Sequence, residues 1–246
     1  MSTEVVNYHQ YKLNDTTARQ LWLAFGFLVF TVLALGIDSK IFLRNYFDGR
    51  TLTNIMAVCY FGAMYHASGS YLRKLMLVMV PLSYLGEIIF CKLLGMYEYN
   101  RAGAIPLYVP FGHAIVYASG FIFAHTTFAK IKEKPLRKFF IIGFAALFLG
   151  VGIFLNDIFS ALSGILFFLL LYKKRWQNVY CFIALCVIFI ELVGTGFACW
   201  AWAPKIFGLM PTANPPMGAV FFYAGGDVLL AKIVDLWEKK KLKNIE

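Results

Sequence analysis

Three ionisable residues stand inside stretches that are otherwise apolar: Glu87 in 82–90, His113 in 109–118 and Glu191 in 182–193. Charged groups in membrane-length apolar segments are costly, and they usually face a cavity or a partner. Counted at 1.5 Å per helical residue, Glu87 lies about 18 Å into a segment that starts at 75, and Glu191 about 20 Å into one that starts at 178. His113 lies about 14 Å from the opposite end of a segment that starts at 104, so all three can share one level. Two adjacent carboxyls with an imidazole between them can differ in proton affinity, one donating a proton while the other stays ionised. Such a trio is a general acid/base arrangement in an apolar medium, with Glu87, His113 and Glu191 as its catalytic candidates.

A polar neighbour accompanies each group at helical i,i+4 spacing: Ser83 for Glu87, Tyr117 for His113, Thr195 for Glu191 and Tyr223 for Asp227. Tyr97, Tyr99, Trp200 and Trp202 follow the two glutamates as aromatic pairs. They read either as ring faces that stabilise positive charge or as an ordinary interfacial belt. With Tyr117, Tyr223 and Asp227 they make up the expected substrate-binding set. His66, His125 and Asp227 fall near the opposite span ends and invite a second cluster, or simply meet water and head groups. No metal or cofactor site is expected, because no His-x-x-His or His-x-x-x-His pair, nucleotide loop or C-x-x-C spacing occurs. Lys92 and Lys232 lie too near span ends for a retinal linkage.

The elements that must hold these residues are membrane helices. The 246 residues are 60% hydrophobic and 15% charged, with 25 Phe, 14 Tyr and 5 Trp, far from the balance of a water-soluble domain. Eight apolar segments, near 20–37, 52–69, 75–96, 104–128, 139–156, 158–172, 178–203 and 213–233, are each about long enough to cross a bilayer. The fifth and sixth are separated only by Asn156–Asp157. As one helix they would run to about 51 Å, so two spans is the better count. The expected fold is an all-α polytopic membrane bundle forming a single domain, with a polar N-terminal arm over 1–19 and a basic tail over 234–246.

Charge sets the orientation. Seventeen of the 23 Lys and Arg fall on one side of an eight-span bundle: Lys12 and Arg19, Arg73 and Lys74, five over 130–138, Lys173 to Arg175, and five from Lys232 onward. By the positive-inside rule both termini are cytoplasmic, in the inner membrane if the source is bacterial. The net charge of +10 then reflects that bias and anionic lipid, and no nucleic-acid partner is expected. The run at 21–37 lacks a small-residue cleavage pattern and reads as a retained first helix.

An internal repeat is visible. Residues 110–120 align without a gap on 216–226, matching Pro110/Pro216, Gly112/Gly218, Tyr117/Tyr223, Ala118/Ala224 and Gly120/Gly226. Glu87 and Glu191 precede the two prolines by 23 and 25 residues. Two parallel four-helix halves, 20–128 and 139–233, are expected, related by an axis along the membrane normal. The many glycines, among them Gly120, Gly194 and Gly218, read as points of close helix approach.

Gly86-Glu87, Gly95-Met96-Tyr97-Glu98-Tyr99 and Ile105-Pro106-Leu107-Tyr108-Val109-Pro110, with a second copy at Glu191, Trp200-Ala201-Trp202 and Pro215-Pro216, resemble the intramembrane signature of carotenoid hydratases and membrane-embedded lycopene cyclases. The resemblance implies acid-initiated hydration or ring closure at the end of a long polyene, with Glu87 and Glu191 as proton donors or cation stabilisers. The chain departs from that pattern at His113 and lacks the acidic pairs of cyclase sites. With almost no mass outside the membrane, the expected partners are membrane lipid and an apolar, lipid-dissolved ligand such as an isoprenoid. The reading is a membrane enzyme performing acid/base chemistry on such a molecule. Two others stay open: a proton-coupled transporter or channel, marked by opposing gates around a polar cavity, and a non-catalytic scaffold with fully paired carboxylates and no cavity.

Overall fold

Thr17 starts the first helix. Its hydroxyl accepts from the Gln20 N–H at 3.2 Å, and the Gln20 side chain accepts from the Thr17 N–H at 2.9 Å, a reciprocal capping box. The computed structural model describes residues 16–101, 103–172, 174 and 177–243, the last three as backbone only. Most of the expected 1–19 arm, together with Lys12, Lys173 and Arg175, lies outside the described residues.

The chain then runs α1 (Ala18–Asp38), α2 (Lys40–Asn45), α3 (Arg50–Ala67), α4 (Ser70–Glu87), β1 (Tyr97–Tyr99), α5 (Tyr108–Ala124), α6 (Thr127–Ile131), α7 (Glu133–Phe154), α8 (Ile158–Leu171), α9 (Gln177–Gly196), β2 (Trp200–Trp202), β3 (Lys205–Ile206), β4 (Met210–Pro211) and α10 (Val220–Lys243). The fold is an all-α bundle to which the chain adds two short ribbons. β1 pairs antiparallel with β2, and β3 with β4.

The helix α5 is the axis of the bundle, packed by α9, α4, α3 and α1. Every residue from Ala114 to Ile122 is buried, as expected for a helix that is apolar all round. Gly120 allows α9 to come close, since a Cβ there would lie 2.5 Å from the Ile183 Cα. By contrast α7 is a two-faced helix. Phe140, Phe144 and Phe148 recur every four residues on its buried face and meet Phe182 of α9 and Phe167 of α8, with ring centroids 5.0 to 6.0 Å apart. Phe139, Ile142, Leu149 and Ile153 on its other face are exposed. Large apolar side chains turned outward suit a lipid surround, in which helices associate through packing rather than through removal of apolar area from water.

Each of the eight expected segments holds one helix, but not every one of them has the length and hydropathy of a span by itself. Five helical stretches are long and apolar enough to cross a membrane: Ala18–Asp38, Ser70–Leu93, Glu133–Phe154, Gln177–Gly196 and Met217–Lys240. The helices α5 and α8 are apolar but shorter, and α3, though 18 residues long, carries Arg50, Asn54 and His66. These candidate spans support a multi-pass membrane protein. The split between the fifth and sixth segments is real: Asn156 takes a φ of 53°, and Asp157 caps α8 by accepting from the Ser160 N–H at 2.8 Å.

One helix end moves by several residues. The segment expected to be helical through 203 stops at Gly196, where Ala198 turns to a φ of 53° and the Cys199 N–H returns to the Gly194 carbonyl at 2.8 Å. Trp200 and Trp202 therefore sit on a strand, not at a helix end. Within the expected 75–96 segment, the chain continues beyond α4 as a π-helical turn over Ile88–Leu93, an irregularity frequent at functional sites.

Candidate functional site: two caged glutamates on one cavity

The β1–β2 ribbon is placed by the two helices that run into it. Leaving the π turn after Glu87, the chain brings Tyr97 and Tyr99 back beside their own glutamate. Leaving α9 after Glu191, it does the same with Trp200 and Trp202. The ribbon pairs Tyr97 with Trp202 and Tyr99 with Trp200, so the two aromatic pairs meet across it, Tyr97 and Trp202 tilted by 46° with centroids 4.8 Å apart and Tyr99 and Trp200 edge to face at 6.3 Å.

Each glutamate is enclosed in the same way. Glu87 Oε2 accepts from Tyr97 Oη at 2.9 Å and Tyr99 Oη at 2.7 Å, while its Oε1 lies 3.1 Å from His113 Nε2 on α5. Glu191 Oε2 accepts from Trp200 Nε1 at 2.9 Å and Trp202 Nε1 at 3.0 Å, while its Oε1 accepts from Tyr223 Oη on α10 at 2.9 Å. Two donors from a strand meet one oxygen, and one side chain from the next helix, His113 or Tyr223, meets the other. Both glutamates are 4% exposed. The His113 and Tyr223 rings stack with centroids 5.0 Å apart and planes 13° apart, so the two cages join through their third donors. The structure thus holds a buried network of two carboxylates, a histidine and five other aromatic side chains.

The network forms part of the wall of a cavity of about 430 Å³, within the range of small-molecule sites. Most of the remaining lining is apolar, including Phe30, Leu82, Phe90, Val116 and Phe222. Leu85 and Ile89 of the α4 arm and Leu229 of α10 also line it, yet they are exposed. Between them Gly86, Gly225 and Gly226 carry no side chain, and a Cβ at any of the three would meet nothing within 4 Å. The cavity accordingly reaches the lateral surface between α4 and α10.

Of the sequence-derived set, Glu87, His113, Glu191, Tyr97, Tyr99, Trp200, Trp202, Tyr223 and Asp227 all line this cavity. Tyr117 does not. It is buried in the core and stacks on Phe121, with centroids 6.2 Å apart. The expected i,i+4 polar pairs are also corrected, because the hydroxyls go elsewhere. Ser83 Oγ donates to the Val80 and Pro110 carbonyls, Thr195 Oγ1 donates to the Glu191 backbone carbonyl, and Tyr223 serves Glu191 rather than Asp227. The residue that answers Tyr223 chemically is His113, not the Tyr117 of the ungapped alignment, so the hydrogen bonds run one helical turn out of step with that register.

The suggested second cluster is not formed. His66 is exposed at the end of α3, while His125 is buried with Nδ1 2.7 Å from the Phe121 carbonyl. Among the described residues no group of three His, Cys, Asp or Glu is placed to hold a metal ion.

One cluster escaped the sequence reading altogether. Asp38, at the end of α1, has no exposed side-chain area and accepts from Arg50 Nε at 3.1 Å and Tyr108 Oη at 2.8 Å, with Arg101 at 3.5 Å. Asn100 ties the ribbon to it by donating to the Asp38 carbonyl at 3.0 Å and accepting from Arg50. An acid closing one apolar run and an Arg opening the next was the available signal. At segment ends, however, charges are so ordinary that the pair did not stand out.

Comparison of the chain with family models, with curated proteins and with solved structures finds no match to any of them.

Proposed function

We propose that the protein is a proton-coupled membrane carrier in which Glu87 and Glu191 exchange protons as a largely apolar, lipid-partitioned molecule enters and leaves the cavity. The observation that carries this reading is the pair of buried, triply hydrogen-bonded carboxylates on a single cavity that reaches the bundle's lateral surface. Buried carboxylates on such a path are the usual proton-handling groups of membrane proteins. The joined third donors support it further, since a tyrosine hydroxyl and an imidazole can each donate and accept. In this reading α1, α3, α4, α5 and α7 to α10 each cross the bilayer, both termini lie on the cytoplasmic side, and halves 20–128 and 139–233 are parallel repeats whose equivalent groups are the two cages. A purely structural role would leave the cavity without a purpose.

The second reading is acid/base catalysis, hydration or cyclisation, on a long isoprenoid such as a carotenoid. It is favoured by the apolar lining and by four aromatic rings around the carboxylates, which suit a carbocation, and by the resemblance of the 86–110 segment to carotenoid hydratases and lycopene cyclases.

Glu87→Gln and Glu191→Gln decide between them. The amide NH2 can face His113 or Tyr223, both able to accept, so folded yield should change little while proton exchange is lost. In proteoliposomes with an imposed pH gradient, proton flux through the wild type should exceed that of protein-free vesicles, and both variants should fall to the vesicle background. Wild-type flux at background overturns the carrier. Conversion of an added polyene that drops about 10²-fold or more in the Gln variants moves the assignment to the enzyme. Equal loss of folded yield in both variants makes the glutamates structural.

A further inference from the structure

Asp227 stands apart from every other acid in the cavity. It lies on α10 one turn beyond Tyr223, about 6 Å farther from the ribbon by helical rise, on a cavity wall that also includes Met79 and Val116. It is 97% buried, yet no described residue donates a hydrogen bond to it and no basic side chain pairs with it; its residue exposure is 3%. The glutamates, by contrast, have three partners each. Tyr117 lies close enough to feel its charge but forms no hydrogen bond with it, and space adjoins the site, since a Cβ at Gly226 or at Gly112 would meet nothing within 4 Å. A buried carboxylate with no compensating group is expensive, and here the protein supplies none, whereas the cavity beside it is open to an occupant.

We infer that the cavity takes an amphiphilic organic amine, whose ammonium group pairs with Asp227 and whose apolar body lies along the α4 and α5 walls toward the caged glutamates. An ammonium both donates hydrogen bonds and neutralises the acid, which an alcohol or a neutral lipid tail does not, and charge-assisted hydrogen bonds are the stronger kind. The glutamates are poorer anchors because three of the roughly four acceptor positions on each carboxylate are already taken. The lateral opening at Leu85, Ile89 and Leu229 fits a molecule that arrives dissolved in the bilayer with its polar head leading. This inference rests on the reading that the cavity binds a lipid-partitioned molecule, and it names that molecule's class.

The test uses the full-length protein in phosphatidylcholine nanodiscs, with radiolabelled dodecylamine and dodecan-1-ol as probes and empty nanodiscs as the correction for partitioning. Wild-type protein should bind dodecylamine saturably, about tenfold or more tighter than dodecanol. Asp227→Asn, which keeps the shape of the side chain, should remove that preference while leaving dodecanol binding little changed. Asp227→Glu should retain the preference, which separates loss of the charge from loss of the fold. Saturable dodecanol binding with no amine preference in the wild type, or a preference that survives Asp227→Asn, overturns the inference and leaves the cavity reading intact. Saturable binding of neither probe overturns both.

Discussion

Glu87 and Glu191 are enclosed by one plan carried out with different side chains, and the difference lies in what the donors can do besides donate. Tyr97, Tyr99 and His113 around Glu87 can each both donate and accept, whereas the indoles of Trp200 and Trp202 only donate. A proton can therefore be passed through any side of the first cage, but only through Tyr223 in the second. Their supports differ too. The strand of the first cage is braced by charge, through Asp38, Arg50, Asn100 and Arg101. The second is braced by packing and backbone bonds: Trp200 lies against Gly194, and the Trp202 N–H donates to Asn214 Oδ1 at 3.1 Å beyond the β3–β4 hairpin. Similar cages can thus be held by an ion-pair clamp or by close contact, and each support should fail in its own way.

The largest effect on stability is expected at the clamp. Arg50→Met leaves Asp38 fully buried with only Arg101 and Tyr108 beside it, and removal of one partner from a buried pair costs about 3 kcal/mol or more. Thermal unfolding in detergent should show that loss. Asp38→Asn combined with Arg50→Met should recover a good part of it, because the uncompensated charge is gone. If the single and double variants unfold alike, the clamp is not what braces the first cage.

A smaller effect should mark the second cage. In Gly194→Ala the new Cβ would lie 1.9 Å from the Trp200 ring, so the indole must move and its bond to Glu191 must lengthen or break. Overpacking of this kind costs about 1–3 kcal/mol. Gly62→Ala on α3 is the control, since its Cβ meets nothing within 4 Å and alanine favours a helix by up to about 1 kcal/mol. Equal melting temperatures for the two variants would mean that contact with Gly194 does not position Trp200.

Much of this was legible in the chain for a physical reason. Single carboxylates in apolar runs are conspicuous because burial makes them costly, so Glu87 and Glu191 stood out, and the helices around them followed from run length. The pairing of Tyr97 with Trp202 did not, because strands of three residues more than a hundred positions apart leave no local period. Aromatics at the end of an apolar run also look the same whether they form a belt or donate to a carboxylate. The run through 203 read as helix because apolar content continues past the turn at Ala198, and nothing in composition marks a positive φ. Tyr117 shows the limit of sequence register: matching Pro110 to Pro216 sets Tyr117 against Tyr223, whereas the α5 side chain that reaches Glu87 is His113, one turn earlier.

The smallest effect concerns the exposed rim of the clamp, and its sign is fixed. Asp48 accepts from the Arg50 backbone N–H at 2.9 Å and pairs with Arg101. That backbone bond is the largest influence; burial opposes it, and the charge and side-chain bond of Arg101 add to it, so its carboxyl is held below the ordinary carboxylate range. A group whose folded value is depressed adds stability that is fully present above its unfolded value and is lost as pH falls through the folded one. For an aspartate that window lies below about pH 4. Wild type should therefore melt slightly higher than Asp48→Asn at pH 6, and the two should converge as the pH is lowered toward 3. The difference should also shrink in high salt, since an exposed pair is screened. A gap that persists unchanged at pH 3 would mean that Asp48 acts through its shape at the start of α3 rather than through its charge on Arg101, and the charge brace of the first cage would then end at Asp38.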